Sequence, residues 1–161
     1  MNIYKNFLKK EDFKKMEQVI MGKCFPWFFQ ENVVKLSKEK DFQFTYAFFI
    51  NGETNCSDDI MNLLQPILSK LTFKHLNKIK ANLLTRDKKI KEHGMHIDQP
   101  KGKTGIFYLN TCNGYTRFKN GKKIKSQKNT YVEFDSTLKH TGSSCTDKQR
   151  RVVINFNYES I

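Results

Sequence analysis

His96-Ile97-Asp98, a distant His140 and the pair Arg150-Arg151 are the residues of this chain whose types and spacing suit chemistry. Two imidazoles and one carboxylate can hold a metal ion from one side and leave its other side to exchangeable ligands. His96 and Asp98 stand at i and i+2. On a strand their side chains share a face, with roots about 7 Å apart. His140 has to arrive from another strand, and the hairpins between leave room for the chain to fold back. Nitrogen and oxygen donors without a thiolate suit Fe(II) better than structural zinc. A guanidinium beyond the last ligand suits the far carboxylate of a dicarboxylic acid. A lone His-x-Asp tripeptide says little. The ordered set, with a strand context and a downstream arginine, is much more specific.

The last strand chooses between the two arginines. From Arg151 to Tyr158, the odd positions carry Arg151, Asn155 and Asn157, and the even positions carry Val152, Ile154, Phe156 and Tyr158. Alternate residues face opposite ways. The even set suits the hydrophobic interior between two sheets, and the polar set suits the mouth of a site. Arg151 is therefore the expected anchor. Arg150 is the second choice, more naturally a solvated charge at a strand edge. Tyr108 shares a strand face with Thr104 and Ile106, and its phenol can donate to the same carboxylate. An ordinary sheet tyrosine is the plain alternative. His93 stands three before His96, a zinc-motif spacing on a helix. Gly94 argues against a helix there, so His93 is expected in a surface loop. His75 is expected to be a surface or packing residue.

The elements that must position these groups follow from periodicity. Residues 8–22 read as an amphipathic helix with Phe13, Met16, Val19 and Ile20 on one side. Pro26 ends it. The aromatics of Cys24-Phe25-Pro26-Trp27-Phe28-Phe29 either line an entrance or, as expected here, pack the helix on a sheet. Residues 42–50 have strong β propensity, and Asn51-Gly52-Glu53 makes a turn. Ser57 caps a helix carrying Ile60, Leu63, Leu64, Ile67, Leu68 and Leu71, kinked or split by Pro66. From residue 78 the pattern becomes short strands: 78–84, a strand end at 93–98, 104–110, a hairpin over 116–124 around Asn120-Gly121, 130–135 and 151–158. Helices first and short strands after predict a mainly β fold with flanking helices. Its form is an antiparallel sandwich or jelly roll with the N-terminal helices packed on one sheet. One domain over 1–161 is expected, with helical and edge-strand support to about residue 77 and a β core over about 78–158.

With 161 residues, 38% hydrophobic and 14 Phe among them, the chain can build a core without disulfides. No apolar run is long enough for a transmembrane helix, and no charged leader with an apolar stretch opens the chain, so neither a membrane nor a signal peptide is expected. Cys24, Cys56, Cys112 and Cys145 are scattered, with no Cys-x-x-Cys pair. Free thiols in a reducing, cytoplasmic compartment are expected, in a cell or for a viral or bacterial product. The net charge of +13 fits a nucleic-acid partner. Yet the excess is almost all lysine spread along the chain, with arginine only at positions 86, 117, 150 and 151. A compositional origin in an AT-rich genome is favoured over nucleic-acid binding.

Several segments together carry a family resemblance. They are His96-Ile97-Asp98, Ile106-Phe107-Tyr108-Leu109-Asn110, Gly114-Tyr115-Thr116-Arg117-Phe118, Phe134-Asp135 before His140, and Arg151 heading the last strand. In order and spacing, residues of about 78–158 resemble the catalytic domain of the prolyl 4-hydroxylase-type 2-oxoglutarate/Fe(II) dioxygenases. The resemblance implies a double-stranded β-helix, a jelly-roll variant. It implies Fe(II) on His96, Asp98 and His140, with 2-oxoglutarate held by Arg151 (or Arg150, one position away) and Tyr108. It implies O2 as oxidant, ascorbate as a stimulant, and hydroxylation of a peptidyl, prolyl-type residue or a small molecule with release of succinate and CO2. A nucleic-acid dealkylase of the same superfamily is the alternative enzyme. Those enzymes usually carry a second arginine where this chain has Asn157, which weakens that alternative. A non-enzymatic basic jelly-roll binding module is the alternative outside the enzymes. The chain also departs from the family in having Gly114-Tyr115 where a Gly-Gly pair is common.

Overall fold

The computed structural model describes residues 1–34 and 41–161. Its elements run β1 (Asn2–Lys5), α1 (Lys10–Ile20), β2 (Phe28–Gln30), β3 (Gln43–Ile50), β4 (Glu53–Thr54), α2 (Asp58–Asn62), α3 (Gln65–Leu68), β5 (His75–Thr85), β6 (Lys103–Tyr108), β7 (Tyr115–Phe118), β8 (Lys123–Lys125), β9 (Thr130–Asp135), β10 (His140–Gly142) and β11 (Arg150–Glu159). The helix over 8–22 shortens to α1, which buries Phe13, Met16 and Ile20. Val19, expected on the same stripe, is exposed. Pro66 does split the next helix, and it sits at the start of α3, where its missing N–H leaves no intrahelical bond unmade. Asn51 and Gly52 both take positive φ, 52° and 91°, as a two-residue hairpin turn requires.

The strands form an antiparallel jelly roll. The major sheet runs β1-β9-β6-β11-β5-β3-β2, with β4 beside β3, and a minor sheet runs β10-β7-β8. The helices cover the outer face of the major sheet, where Phe13, Met16 and Ile20 of α1 join Phe107, Tyr131, Val152, Ile154 and Phe156 in the larger core. A smaller cluster of Ile106, Tyr108, Phe118, Ile124, Val132, Phe134 and Val153 lies between the sheets. This reverses one expectation. The even set of β11, Val152, Ile154, Phe156 and Tyr158, belongs to the helix side rather than to the space between the sheets. The physical reason is area: helices and the outer sheet face bury most of the apolar surface, whereas the inter-sheet space is shared between a small apolar cluster and a polar cavity. The odd set, Arg151, Val153, Asn155 and Asn157, therefore faces the minor sheet.

Two further expectations change. Residues 93–98 are not a regular strand end. Only the bridge His96↔His140 and isolated bonds tie them to the minor sheet. His93 N reaches Gly142 O, His96 N reaches His140 O, and Asp98 N reaches Ser136 O. These pairs keep no common register, so no ladder forms. The aromatic stretch also divides. Phe25 packs against Tyr46 and Phe48 as expected, but Phe28 and Phe29 on the edge strand β2 are each 62% exposed. Among the described residues no helix is long and apolar enough to cross a membrane.

Candidate active site

The bridge between residues 96 and 140 is what brings the first two candidate ligands together. His96 N donates to His140 O and His140 N to His96 O, both at 3.0 Å. Residues paired in this way place their side chains side by side on one face, and the two imidazole centroids lie 4.7 Å apart. Asp98 follows two residues on, its backbone held by Ser136, and turns its carboxylate into the same space. Asp98 Oδ1 is 3.7 Å from His96 Nε2, and Oδ2 is 3.7 Å from His140 Nε2. One donor atom from each residue lies within 4.8 Å of the other two.

Each candidate ligand has a partner that fixes its orientation. His140 Nδ1 faces Leu138 O at 2.9 Å and His96 Nδ1 faces Gly94 O at 3.1 Å. A carbonyl only accepts, so each Nδ1 carries the proton and each Nε2 presents a lone pair. Thr104 Oγ1 donates to Asp98 Oδ2 at 2.8 Å, and Asn157 Nδ2 donates to Thr104 Oγ1 at 3.0 Å. Burial works to raise the Asp98 carboxyl, but His140, His96 and the Thr104 hydroxyl outweigh it, and Asp98 lies below the usual carboxylate range. Burial also holds the His140 imidazole below its ordinary value against the pull of Asp98. At neutral pH Asp98 is therefore ionised and His140 neutral, the forms that bind metal.

Two imidazoles and a carboxylate on one side of a shared point fit a facial triad, the arrangement of non-haem Fe(II) with open positions opposite. Nothing in the set is a thiolate.

The triad opens into a cavity of about 400 Å³. β5 and β11 line it with Lys78, Lys80, Asn82, Val153 and Asn155, and Arg151 lines it as well. Arg151 is buried, at 3% exposure. Its Nε donates to Ser126 Oγ at 2.7 Å and its Nη2 to Thr116 Oγ1 at 3.2 Å. Among the described residues no carboxylate pairs with it. Burial pulls its pKa down from the ordinary value, with Tyr108 opposing, yet a guanidinium stays charged.

Arg150 faces the other way. Its Nη2 donates to Met21 O, beside the end of α1, and it does not line the cavity. Tyr108 lies behind the cavity wall rather than in it. Its ring sits 5.6 Å from the Arg151 guanidinium, and its hydroxyl donates to Thr116 Oγ1 at 2.9 Å. Full burial raises its pKa, so the phenol stays a donor. Among the cavity-lining residues it is Thr116 whose hydroxyl meets the guanidinium, and the sequence pointed to it only through the motif containing it.

His93 corrects the surface-loop expectation. It is buried, with Nδ1 3.0 Å from Asp41 Oδ2, and Lys91 reaches the same carboxylate. It stands apart from the triad. The scattered Cys112 and Cys145 also meet, close to a carboxylate oxygen of Asp147. Burial, with Cys112 beside it, pushes the Cys145 thiol up to about 11, so it is protonated at neutral pH.

Gly114 packs against Arg151. A Cβ there would lie 2.7 Å from Arg151 Cδ and 2.8 Å from Ser144 O. Gly114→Ala is expected to displace the guanidinium and weaken the binding of a dicarboxylate in the cavity by about tenfold or more. Overpacking should lower stability by about 1–3 kcal/mol at the same time. Titration of a dicarboxylate beside a thermal melt separates the two effects. An unchanged half-saturation would show that the Arg151 stem is free to move aside.

No family model matches the sequence, and no curated protein sequence matches it. Solved structures do share its fold. A prolyl hydroxylase from Trichoplax adhaerens, in complex with a hypoxia inducible factor oxygen degradation domain peptide fragment, aligns with a TM-score of 0.66 and 15% identity over 98% of this chain and 83% of that one. A 2OG-Fe(II) oxygenase family oxidoreductase from Burkholderia pseudomallei aligns with a TM-score of 0.62 and 12% identity over 83% of this chain and 73% of that one. A prolyl-4-hydroxylase from Pseudomonas putida aligns with a TM-score of 0.61 and 10% identity over 98% of this chain and 92% of that one. The chain has the fold of the prolyl hydroxylase-like 2-oxoglutarate/Fe(II) oxygenases, as the sequence motifs imply.

Proposed function

We propose that this protein is a 2-oxoglutarate-dependent, non-haem Fe(II) dioxygenase that hydroxylates a peptidyl, prolyl-type residue or a small molecule. One observation carries the reading: a buried guanidinium with no carboxylate partner among the described residues opens onto the same cavity as two Nε2 lone pairs and an ionised carboxylate. A buried cation is normally paired. A dicarboxylate spanning from the triad to Arg151 supplies that pair.

His96, Asp98 and His140 would hold the iron, and Arg151 the distal carboxylate. When bound, Fe(II) and 2-oxoglutarate together supply the oxidising chemistry, consuming O2 and yielding succinate and CO2. The protein's part is geometric. Gly94 O and Leu138 O hold the imidazole tautomers. Ser126 and Thr116 hold the guanidinium in one orientation, and Tyr108 backs it from the core side. A fixed anchor sets one pose for the cosubstrate, which removes orientational freedom before reaction. Lys78, Lys80 and Gln30 line the same cavity and are available to a substrate bound there. The peptide held by the Trichoplax adhaerens neighbour supports a peptidyl substrate.

The test is anaerobic addition of Fe(II) and 2-oxoglutarate, read as a weak visible charge-transfer band, followed by O2-dependent succinate formation. Peptides, amino acids and oligonucleotides are then screened for perturbation of the band. A band absent at saturating iron and cosubstrate would remove the proposal. A response to oligonucleotides alone would move the substrate to nucleic acid.

A further inference from the structure

We infer that Asn157 and Thr104 form a one-way hydrogen-bond relay that fixes the Asp98 carboxylate as a single-oxygen metal ligand. The inference rests on the metal-site reading above and deepens it.

The polarity of the relay follows from donor counting. An ionised carboxylate only accepts. Thr104 has one hydroxyl proton, and Asp98 Oδ2 lies 2.8 Å from its Oγ1. That proton is committed to Asp98. The hydroxyl can then only accept from its other neighbour, so Asn157 must present Nδ2, 3.0 Å away. If Asn157 were an acceptor instead, it would compete with Asp98 for the one proton.

The backbone register builds the relay. Asn157 on β11 pairs directly with Thr104 on β6, and side chains of directly opposed residues stand together on one face. Both residues are buried. Asn157 Oδ1 is buried with no partner among the described residues. Half of the amide is thus left unsatisfied while the other half serves Thr104. An apolar side chain would avoid that penalty, so packing alone gives no reason for an amide here.

The consequence is on the metal side. Oδ2 already accepts a hydrogen bond, which leaves Oδ1, the oxygen nearer His96, as the better ligand atom. A carboxylate binding through both oxygens would take an extra coordination position. Held to one oxygen, it would leave more of the metal's coordination sphere to exchangeable ligands. Thr104 and Asn157 are positioning residues, since neither would touch the metal.

The test uses Co(II) as an air-stable probe, titrated into the metal-free protein by calorimetry, with a thermal melt of each metal-free variant. Wild type should bind one Co(II). Thr104→Val should bind it about 10–100-fold more weakly, the range for loss of a partner to a ligand. Thr104→Ser, which keeps the hydroxyl, should stay within about threefold of wild type, because the relay needs only that one group. Asn157→Leu should fall between Thr104→Val and wild type. The double variant Thr104→Val/Asn157→Leu should bind no more weakly than Thr104→Val, because the amide acts only through the hydroxyl. Equal Co(II) affinity in wild type and Thr104→Val overturns the relay and leaves the metal site standing. Additive losses in the double variant overturn it too. Failure of wild type to bind Co(II) instead removes the metal-site reading. Should Thr104→Val not fold, Asn157→Leu against Thr104→Ser decides: both indistinguishable from wild type overturns the relay.

Discussion

Replacing Asp98 by alanine is expected to bring iron-dependent succinate formation below detection. Asp98 supplies the only carboxylate that faces both imidazoles among the described residues. It is ionised in the fold because the imidazoles and Thr104 outweigh its burial. With a divalent cation bound, removing the carboxylate leaves buried charge uncompensated, a loss of about 3–5 kcal/mol, or about 10²–10⁴-fold in metal affinity. Two imidazoles would remain, and the third protein ligand would be gone. The measurement is succinate release at saturating 2-oxoglutarate over a range of Fe(II), with metal affinity determined separately. Asp98→Asn is the companion variant, since it keeps the volume and removes the charge. A metal-free melt shows whether the fold survives. Turnover retained in a folded Asp98→Ala protein would take Asp98 out of the ligand set, and with it the metal centre proposed here.

The triad was legible in the sequence, but for a reason only partly right. His96 and Asp98 at i and i+2 predicted two side chains on one strand face. The segment forms no ladder, and the geometry comes from the two-bond bridge that sets His96 opposite His140. The i, i+2 spacing still works because the bridge keeps the segment extended. That Arg150 and Arg151 point to opposite faces, with Arg151 toward the cavity, was legible because alternation along a strand is a local property. Which layer each face would meet was not. That depends on where the helices lie, and nothing in a ten-residue window reports it. Thr116, Ser126, Thr104 and Asn157 were hidden for the same reason. Thr116 meets Arg151 across the two sheets, and Thr104 meets Asn157 across adjacent strands far apart in the chain. Hydroxyl and amide side chains give no periodic signal of their own. His93 shows the limit most plainly: its burial depends on Asp41, a residue from a different part of the chain.

Arg151→Ala is expected to raise the 2-oxoglutarate concentration for half-saturation by about 100-fold or more, whereas Arg150→Ala should leave it nearly unchanged. The contrast comes from the two faces of β11. Arg151 ends in the cavity, pinned by Ser126 and Thr116. Arg150 ends on the opposite side, on the carbonyl of Met21. Hydrogen bonds to a charged group contribute about 1.5–3 kcal/mol each, and two of them to a carboxylate would account for at least a hundredfold change. The alanine variant also strips the donors from Ser126 and Thr116, so some loss of stability accompanies the loss of affinity. Arg151→Lys separates the two. It keeps a cation but not the planar fork, so it should recover part of the affinity and not all of it. Arg150→Ala should instead show its effect in the melt, through the lost bond at the end of α1. A larger cosubstrate defect in Arg150→Ala than in Arg151→Ala would reassign the anchor. It would also mean that β11 presents its other face to the cavity when ligand is bound, a one-residue register change. Such a shift would move Asn157 away from Thr104, so the same variants read in the Co(II) titration would register it as well.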